Sequence, residues 1–435
     1  MVCSVVDICG GCERSNTLES KVRELYECFN IGALGSRFYL YASPDSGYRA
    51  RGEFRIYRES SGVDSTNALP SLYLSMSAKG KNSRIKIQNC PILLPALQSV
   101  LQALLPLLQH SNILSQKLYA IEVLGSRFST QEHLPQSLPK PTAMTWLDSS
   151  LQGLCYVIEP DEWQCSDVAI TLIYHKRLDS TYEQAARELP CALKALCEQA
   201  VPKMVREITI VARSKNQKLC FRDSIIDSSV QDCITDVVQV CGKPYVYLRK
   251  EGQFCQPNAY MNACMLSFAK SMIQAHKRVD LLEMYGGDGN FSIALAECFN
   301  KVLVTEVVKT ASAHISRNAL LNNITNITSV RLSGAETMSA LSGEREFYRL
   351  KGVDISSFNF SHILIDPPRS GIGDGAMLAF IAGFSYIVYI SCNPASLLKD
   401  LQVLLQTHSI ENFALFDQFP HTHHKECALI LRKQA

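Results

Sequence analysis

From Val279 onward the chain alternates short apolar runs with helical patterning, and each run stops at residues able to do chemistry. Val279 to Tyr285 ends in Gly286-Gly287-Asp288-Gly289-Asn290. A helical pattern from Phe291 to Cys298 follows, then a second apolar run, Val302 to Thr305, ending at Glu306. Ile363-Leu364-Ile365 precedes Asp366-Pro367-Pro368, and Tyr386 to Ile390 precedes Ser391-Cys392-Asn393-Pro394. Short continuous apolar runs between helices predict buried parallel strands, hence an α/β fold with a doubly wound, mainly parallel sheet. In such sheets ligands bind beyond the carboxyl ends of the strands, where all of these residues fall.

The first half is patterned differently. Tyr48 to Tyr57 alternates at period two, which predicts a strand with arginines on one face and aromatics nearby. Arg49, Arg51 and Arg55 on such a face suit RNA phosphates, with aromatics to stack bases; a plain solvated strand face is the alternative. Cys90 to Leu108 is the most apolar stretch, but Pro91, Pro95, Pro106, Gln98 and Gln102 interrupt it, so it predicts an amphipathic helix and not a membrane span. Gln131 to Thr142 gathers Pro135, Pro139 and Pro141 and reads as an exposed insert.

With 435 residues, 47 % apolar, the chain can bury a core without disulfides. A net charge of +2 marks neither a nucleic-acid nor a membrane-surface protein, so any such partner has to act through a local patch. One exists. Arg49 to Lys86 holds eight basic residues (Arg49, Arg51, Arg55, Arg58, Lys79, Lys81, Arg84, Lys86) against three acids (Glu53, Glu59, Asp64). The start Met1 to Asp7 has no basic segment before its short apolar run, which argues against a secretory signal and for the cytoplasm. In that compartment the 17 cysteines read mostly as core thiols, with a few ligands or nucleophiles among them.

The glycine turn and Glu306, seventeen residues beyond Gly289, are placed to bind a nucleoside-type cofactor by its ribose hydroxyls. Ser292 stands where a dinucleotide motif has its third glycine, which favours S-adenosylmethionine over NAD and makes an NAD-dependent oxidoreductase the weaker reading. Cys392 ends a buried strand, with Asn393 and Pro394 suited to the cap and first turn of a helix running to about Leu405; its dipole would favour a thiolate nucleophile. Asp366-Pro367-Pro368 leaves a carboxylate facing the cleft and resembles the motif of methyltransferases acting on exocyclic amines, which need no cysteine. Carbon 5 of uracil is a poor nucleophile. Its methylation takes thiolate addition at carbon 6, attack of the resulting enolate on a methyl donor, and a base to remove the carbon 5 proton. Cofactor turn, Cys392 and a second carboxylate, Glu426, fit that sequence, whereas an RNA-folding or RNA-binding protein has no need of both. Adjacent His423 and His424 lack metal-ligand spacing. Near the start, Cys3, Cys9 and Cys12, with Cys90 as fourth ligand, favour a [4Fe-4S] cluster over zinc or free thiols.

These motifs together resemble the bacterial tRNA uracil-5-methyltransferases that make 5-methyluridine 54 in the T-loop. The likeness runs through Tyr48 to Ile56, Leu172 to Lys176, Gln256 to Asn258, Leu281 to Ser292, Asp366 to Gly371, Ile390 to Pro394 and Phe416 to Cys427. It implies Cys392 as nucleophile, Glu426 as proton acceptor, and Gln256, Tyr285, Asn290, Glu306 and Asp366 around the cofactor and uracil. The domains expected are a cysteine motif in 1–18, an α+β RNA-binding domain in 19–250, and a Rossmann-like S-adenosylmethionine methyltransferase domain in 251–435. Gly286 replaces a cysteine usual in the tRNA family, a change expected to be harmless. The cysteine set with Cys90-Pro91-Ile92-Leu93 is similar to that of the 23S rRNA uracil-5-methyltransferases, which makes rRNA the alternative substrate.

Overall fold

The computed structural model describes residues 3–434 except 32–33, 35–36, 60–70, 133, 135–137, 144–152, 161–164, 223–230, 274 and 276–277. Part of the insert expected at 131–142, including Pro135, thus lies outside the described residues.

Parallel strands form where the apolar runs predict them: Asp280–Met284, Val302–Thr305, Phe360–Ile365 and Tyr386–Ser391, each nearly all buried. They belong to a ten-stranded sheet ordered Ile327–Val330, Val302–Thr305, Asp280–Met284, Phe360–Ile365, Tyr386–Ser391, Glu426–Lys433, His408–Phe416, Phe38–Ala42, Leu154–Val157 and Thr142–Ala143. The chain builds outward from Asp280–Met284 in one direction, then returns to its other side at Phe360–Ile365. That switch point is where a ligand finds a crevice. Glu426–Lys433 runs antiparallel to both neighbours.

The last three strands of this sheet come from the first half of the chain. Phe38–Ala42 pairs in parallel with His408–Phe416 and Leu154–Val157, so the sheet crosses the domain boundary expected at residue 250. Sequence patterning missed Phe38–Ala42 because its pairing partner lies about 370 residues away, and a five-residue run carries no long-range signal.

A second sheet has seven strands ordered Gln217–Arg222, Val205–Ser214, Ser166–Tyr174, Leu118–Gly125, Arg51–Glu59, Ser71–Ser77 and Arg84–Ile87. The apolar stretch expected as an amphipathic helix is the helix Pro95–Gln109, with Pro95 in its first turn and Leu97, Val100, Leu101, Leu104 and Leu108 buried against one face of this sheet. Each such side chain contributes roughly 2 kcal/mol by leaving water. The strand expected from Tyr48 begins only at Arg51. The backbone before it is bonded elsewhere: Arg49 N to Ile92 O and Ala50 N to Pro257 O. Between the two sheets lies the hairpin Cys233–Val240/Lys243–Lys250, whose two-residue turn, Cys241-Gly242, has positive φ at both positions. Among the described residues no helix is long and apolar enough to cross a membrane.

Candidate functional site

Strand register assembles the site. Parallel pairing aligns Thr305, Met284 and Ile365, so the next residues, Glu306, Tyr285 and Asp366, emerge in a row at the carboxyl edge. Further along, antiparallel pairing sets Ser391 opposite Cys427. One more step along each chain brings Cys392 and Glu426 to the same edge, where both wall one cavity and the Glu426 charge acts on the thiol. A cavity of about 570 Å³ joins the two groups, walled by Tyr285, Glu306, Asp366, Gln256, Cys392 and Glu426.

At the cofactor end, Gly287 and Gly289 have φ of 56° and 88°, and Tyr285 also lies in the left-handed region at 63°. The Glu306 carboxylate accepts from Gly287 N at 3.0 Å and Val308 N at 2.7 Å, which fixes it while leaving lone pairs for a ligand's hydroxyls. A Cβ on Gly286 would collide with the buried Val304 side chain, so glycine here and valine there are a matched pair. The Asn290 amide exchanges hydrogen bonds with Asn262 and accepts from Arg249, and Asn290 is not among the residues that wall this cavity. These bonds brace the turn, which spacing alone could not show.

At the other end, burial pushes the Asp366 carboxyl up to about 7 and, with repulsion from Asp366, holds Glu426 well above the carboxylate range; Arg369 opposes this. The expected thiolate-favouring environment of Cys392 also needs correction. The helix Pro394–Leu404 forms and is capped by Asn393 as expected. Yet burial raises the thiol and Glu426 and Asp366 add to this, while the Arg369 guanidinium and a hydrogen bond from its own backbone lower it. Burial is the largest of these causes. Gln418 donates from Nε2 to Gln256 Oε1 at 2.6 Å, which orients that amide in the cavity wall.

Lys21, on the helix Leu18–Phe29, reaches Asp417 Oδ1 at 2.7 Å and Phe419 O at 2.8 Å in a buried ion pair, and so anchors the loop that leads to Glu426. Sequence reasoning named neither Lys21, Gln418 nor Arg369 in a role. The last two lie inside motifs that were recognised, whereas nothing near Lys21 in sequence points to a partner 396 residues away.

Of the expected RNA contacts, Arg55 lies over the Tyr119 ring at 4.1 Å, and Tyr119 stacks on His175 with centroids 4.1 Å apart. Arg55 also pairs with Glu53 at 3.3 Å. Lys86 covers Tyr73 and Tyr57 on the same sheet face. Arg51 and Arg49 line a groove with Phe254 and Phe419, which also wall the catalytic cavity. Phe254 is 69 % exposed at that mouth.

Cys3, Cys9, Cys12 and Cys90 all line one cavity of about 460 Å³. Among the described residues no three His, Cys, Asp or Glu side chains close around a spot the size of a single metal ion, there or at His421, His423 and His424. Burial and neighbouring thiols push Cys12 up to about 11 and Cys90 up to about 12. Glu13 N donates to His421 O at 2.7 Å, tying the cysteine segment to the loop before Glu426.

The family model for tRNA (uracil-5-)-methyltransferases matches residues 13–138 and 131–434. The chain belongs to this family. It is 36 % identical to the tRNA/tmRNA (uracil-C(5))-methyltransferase of Helicobacter hepaticus, over all of this chain and 99 % of that protein, and 36 % identical to that of Wolinella succinogenes over the full length of both. Among solved structures, the Pyrococcus abyssi tRNA (uracil-54, C5)-methyltransferase in complex with S-adenosyl-L-homocysteine matches with a TM-score of 0.58 at 16 % identity, covering 95 % of this chain and 82 % of that one. That likeness shows a shared fold.

Proposed function

We propose that this family member methylates carbon 5 of a uridine in tRNA, uridine 54 of the T-loop being the target, with S-adenosylmethionine as methyl donor. The observation that carries this reading is the juxtaposition of Cys392 with Glu426 in the same cavity as the Glu306-bound glycine turn. The cavity fits the cofactor chemically: Glu306 suits ribose hydroxyls, and Asp366 and Glu306 give an acidic wall that suits a sulfonium and an ammonium. The bound cofactor supplies an electrophilic methyl group. Cys392 adds to carbon 6 of the flipped uracil and turns carbon 5 into an enolate carbon able to take that methyl. Gln256, held by Gln418, orients the base through its edge, and Glu426 accepts the carbon 5 proton so that the Cys392–carbon 6 bond can break. The Arg55–Tyr119–His175 stack, with Arg49 and Arg51 at the mouth, holds the surrounding loop by phosphate contacts and base stacking. A tRNA substrate puts the reaction in the cytoplasm. Mapping 5-methyluridine in total RNA from a strain lacking the protein tests the reading: loss at position 54 of tRNA supports it, and loss confined to 23S rRNA replaces it with the alternative substrate.

For the interface, Arg51→Glu is expected to weaken tRNA binding and to reduce the slope of log affinity against log salt by at least about one. An unchanged slope in a filter-binding titration removes Arg51 from the phosphate contacts.

The cysteine cavity carries a second proposal, that Cys3, Cys9, Cys12 and Cys90 hold a [4Fe-4S] cluster. All four thiols line one space, and their spacing in the sequence suits a cluster better than the paired Cys-x2-Cys ligands of zinc sites. A cluster there ties Cys12 to Cys90 across a closure that chain-entropy arguments value at roughly 4 kcal/mol. Anaerobically purified protein is expected to be brown and to contain iron and acid-labile sulfide. Cys12→Ser should lower its thermal midpoint and tRNA affinity more than single-turnover methyl transfer. Colourless protein with one equivalent of zinc, or metal-free protein of undiminished stability, overturns the assignment.

A further inference from the structure

Arg249 is the next-to-last residue of the second strand of the hairpin and is buried with its charge, only 4 % of the side chain being exposed. Its Nη1 donates to both Asp288 oxygens at 2.9 Å, its Nη2 to Asn290 Oδ1 at 2.8 Å, and its Nε to Asp236 Oδ2 at 3.2 Å. The guanidinium lies over the Tyr247 ring at 4.2 Å, and Tyr247 donates from its hydroxyl to Asn290 O at 2.9 Å. A third tie runs through the helix Lys309–Leu321. Asn318 accepts from Leu248 N at 2.9 Å and donates to Asp288 O at 3.0 Å. Asp288 and Asn290 bracket Gly289, the residue at which the cofactor turn becomes a helix.

We infer that Arg249 is a positioning residue for the cofactor: it clamps the Asp288-Gly289-Asn290 turn against a hairpin that itself never touches the ligand. The inference rests on reading that turn as the cofactor site. A glycine turn with positive φ at Gly287 and Gly289 has many accessible shapes, and Glu306 bonds only its Gly287 amide. Arg249 removes the remaining freedom on the opposite side with a fixed fork that no lysine reproduces. Because both partners are out of water, removing the cation strands the Asp288 carboxylate at the turn, whereas replacing Arg249 and Asp288 together leaves no stranded charge at the turn and only Asp236, on the hairpin, without its cation.

Calorimetry with S-adenosylhomocysteine on Arg249→Gln, Asp288→Asn and the double variant tests this. Arg249→Gln is expected to raise Kd about tenfold through a looser turn, with KM for tRNA unchanged, and the double variant to return to within about threefold of the unmodified protein. A folded Arg249→Gln protein with unchanged Kd overturns the clamp, as does a double variant no better than the single one. If the single variants do not fold, hydrogen exchange on the unmodified protein decides: adding S-adenosylhomocysteine should slow the amides of 245–250 together with those of 286–290, and protection confined to the turn overturns the inference. An unmodified protein that binds no S-adenosylhomocysteine removes the cofactor reading instead.

Discussion

Replacing Cys392 with alanine is expected to lower methylation by about 10⁴-fold or more while leaving tRNA affinity within about threefold. The size follows from the chemistry. The aligned electrophile does not help a carbon that cannot attack it, and carbon 5 becomes nucleophilic only while a bond to sulfur holds carbon 6 saturated. Binding is expected to be spared because the contacts proposed for Arg51, Arg55, Tyr119 and His175 do not involve the thiol. Single-turnover transfer from labelled S-adenosylmethionine, measured beside filter binding of the same tRNA, separates the two. A near-normal rate ends the covalent mechanism.

Much of this site was legible in the sequence because its parts are local. A strand end, its turn residues and the cap of the next helix are contiguous, and they gave the glycine turn, Asp366, Cys392 and Asn393 in their places. What was not legible depends on pairing across the chain. The far end of the ten-stranded sheet needs Phe38–Ala42 to find His408–Phe416. The loop before Glu426 needs Lys21, and the cation–aromatic stack needs Tyr119 to meet Arg55 and His175. Charge was misread for the same reason. The helix after Cys392 is a sequence feature that favours a thiolate, but the two carboxylates that oppose it arrive from separate strands.

That opposition also explains how one pocket can hold a thiol nucleophile and two acids. Burial raises Asp366 to about 7, and burial together with the Asp366 charge raises Glu426 well above the carboxylate range, so sharing a proton is favoured over ionising both. A protonated acid beside Cys392 no longer repels a thiolate, which leaves burial as the opposing cause and Arg369 as the favouring charge. In the proposed mechanism Glu426 acts as base only after the thiol's charge has passed into the covalent adduct.

Glu426→Gln isolates that last step. Glutamine preserves the shape of the strand end but accepts no proton, so Cys392 still adds and the methyl group still transfers, after which carbon 5 keeps both its hydrogen and its new methyl. The bond to sulfur cannot then break by elimination, and a methylated protein–RNA adduct is expected to accumulate toward one per active site and to survive a denaturing gel. Normal release of product would mean that another group takes the proton. The same variant carries a stability signature of known sign. Folding raises Asp366 and Glu426 above their unfolded values, so the folded chain binds more protons than the unfolded one between about pH 4 and the raised values, and stability falls as pH climbs through that window. Glu426→Gln removes one of the two acids that must ionise in place. Its thermal midpoint should exceed that of the unmodified protein at pH 8, with the gap closing toward pH 5; a gap that widens on acidification would mean that Glu426 is held ionised in the folded chain, and that the pocket is electrostatically the reverse of what its burial implies.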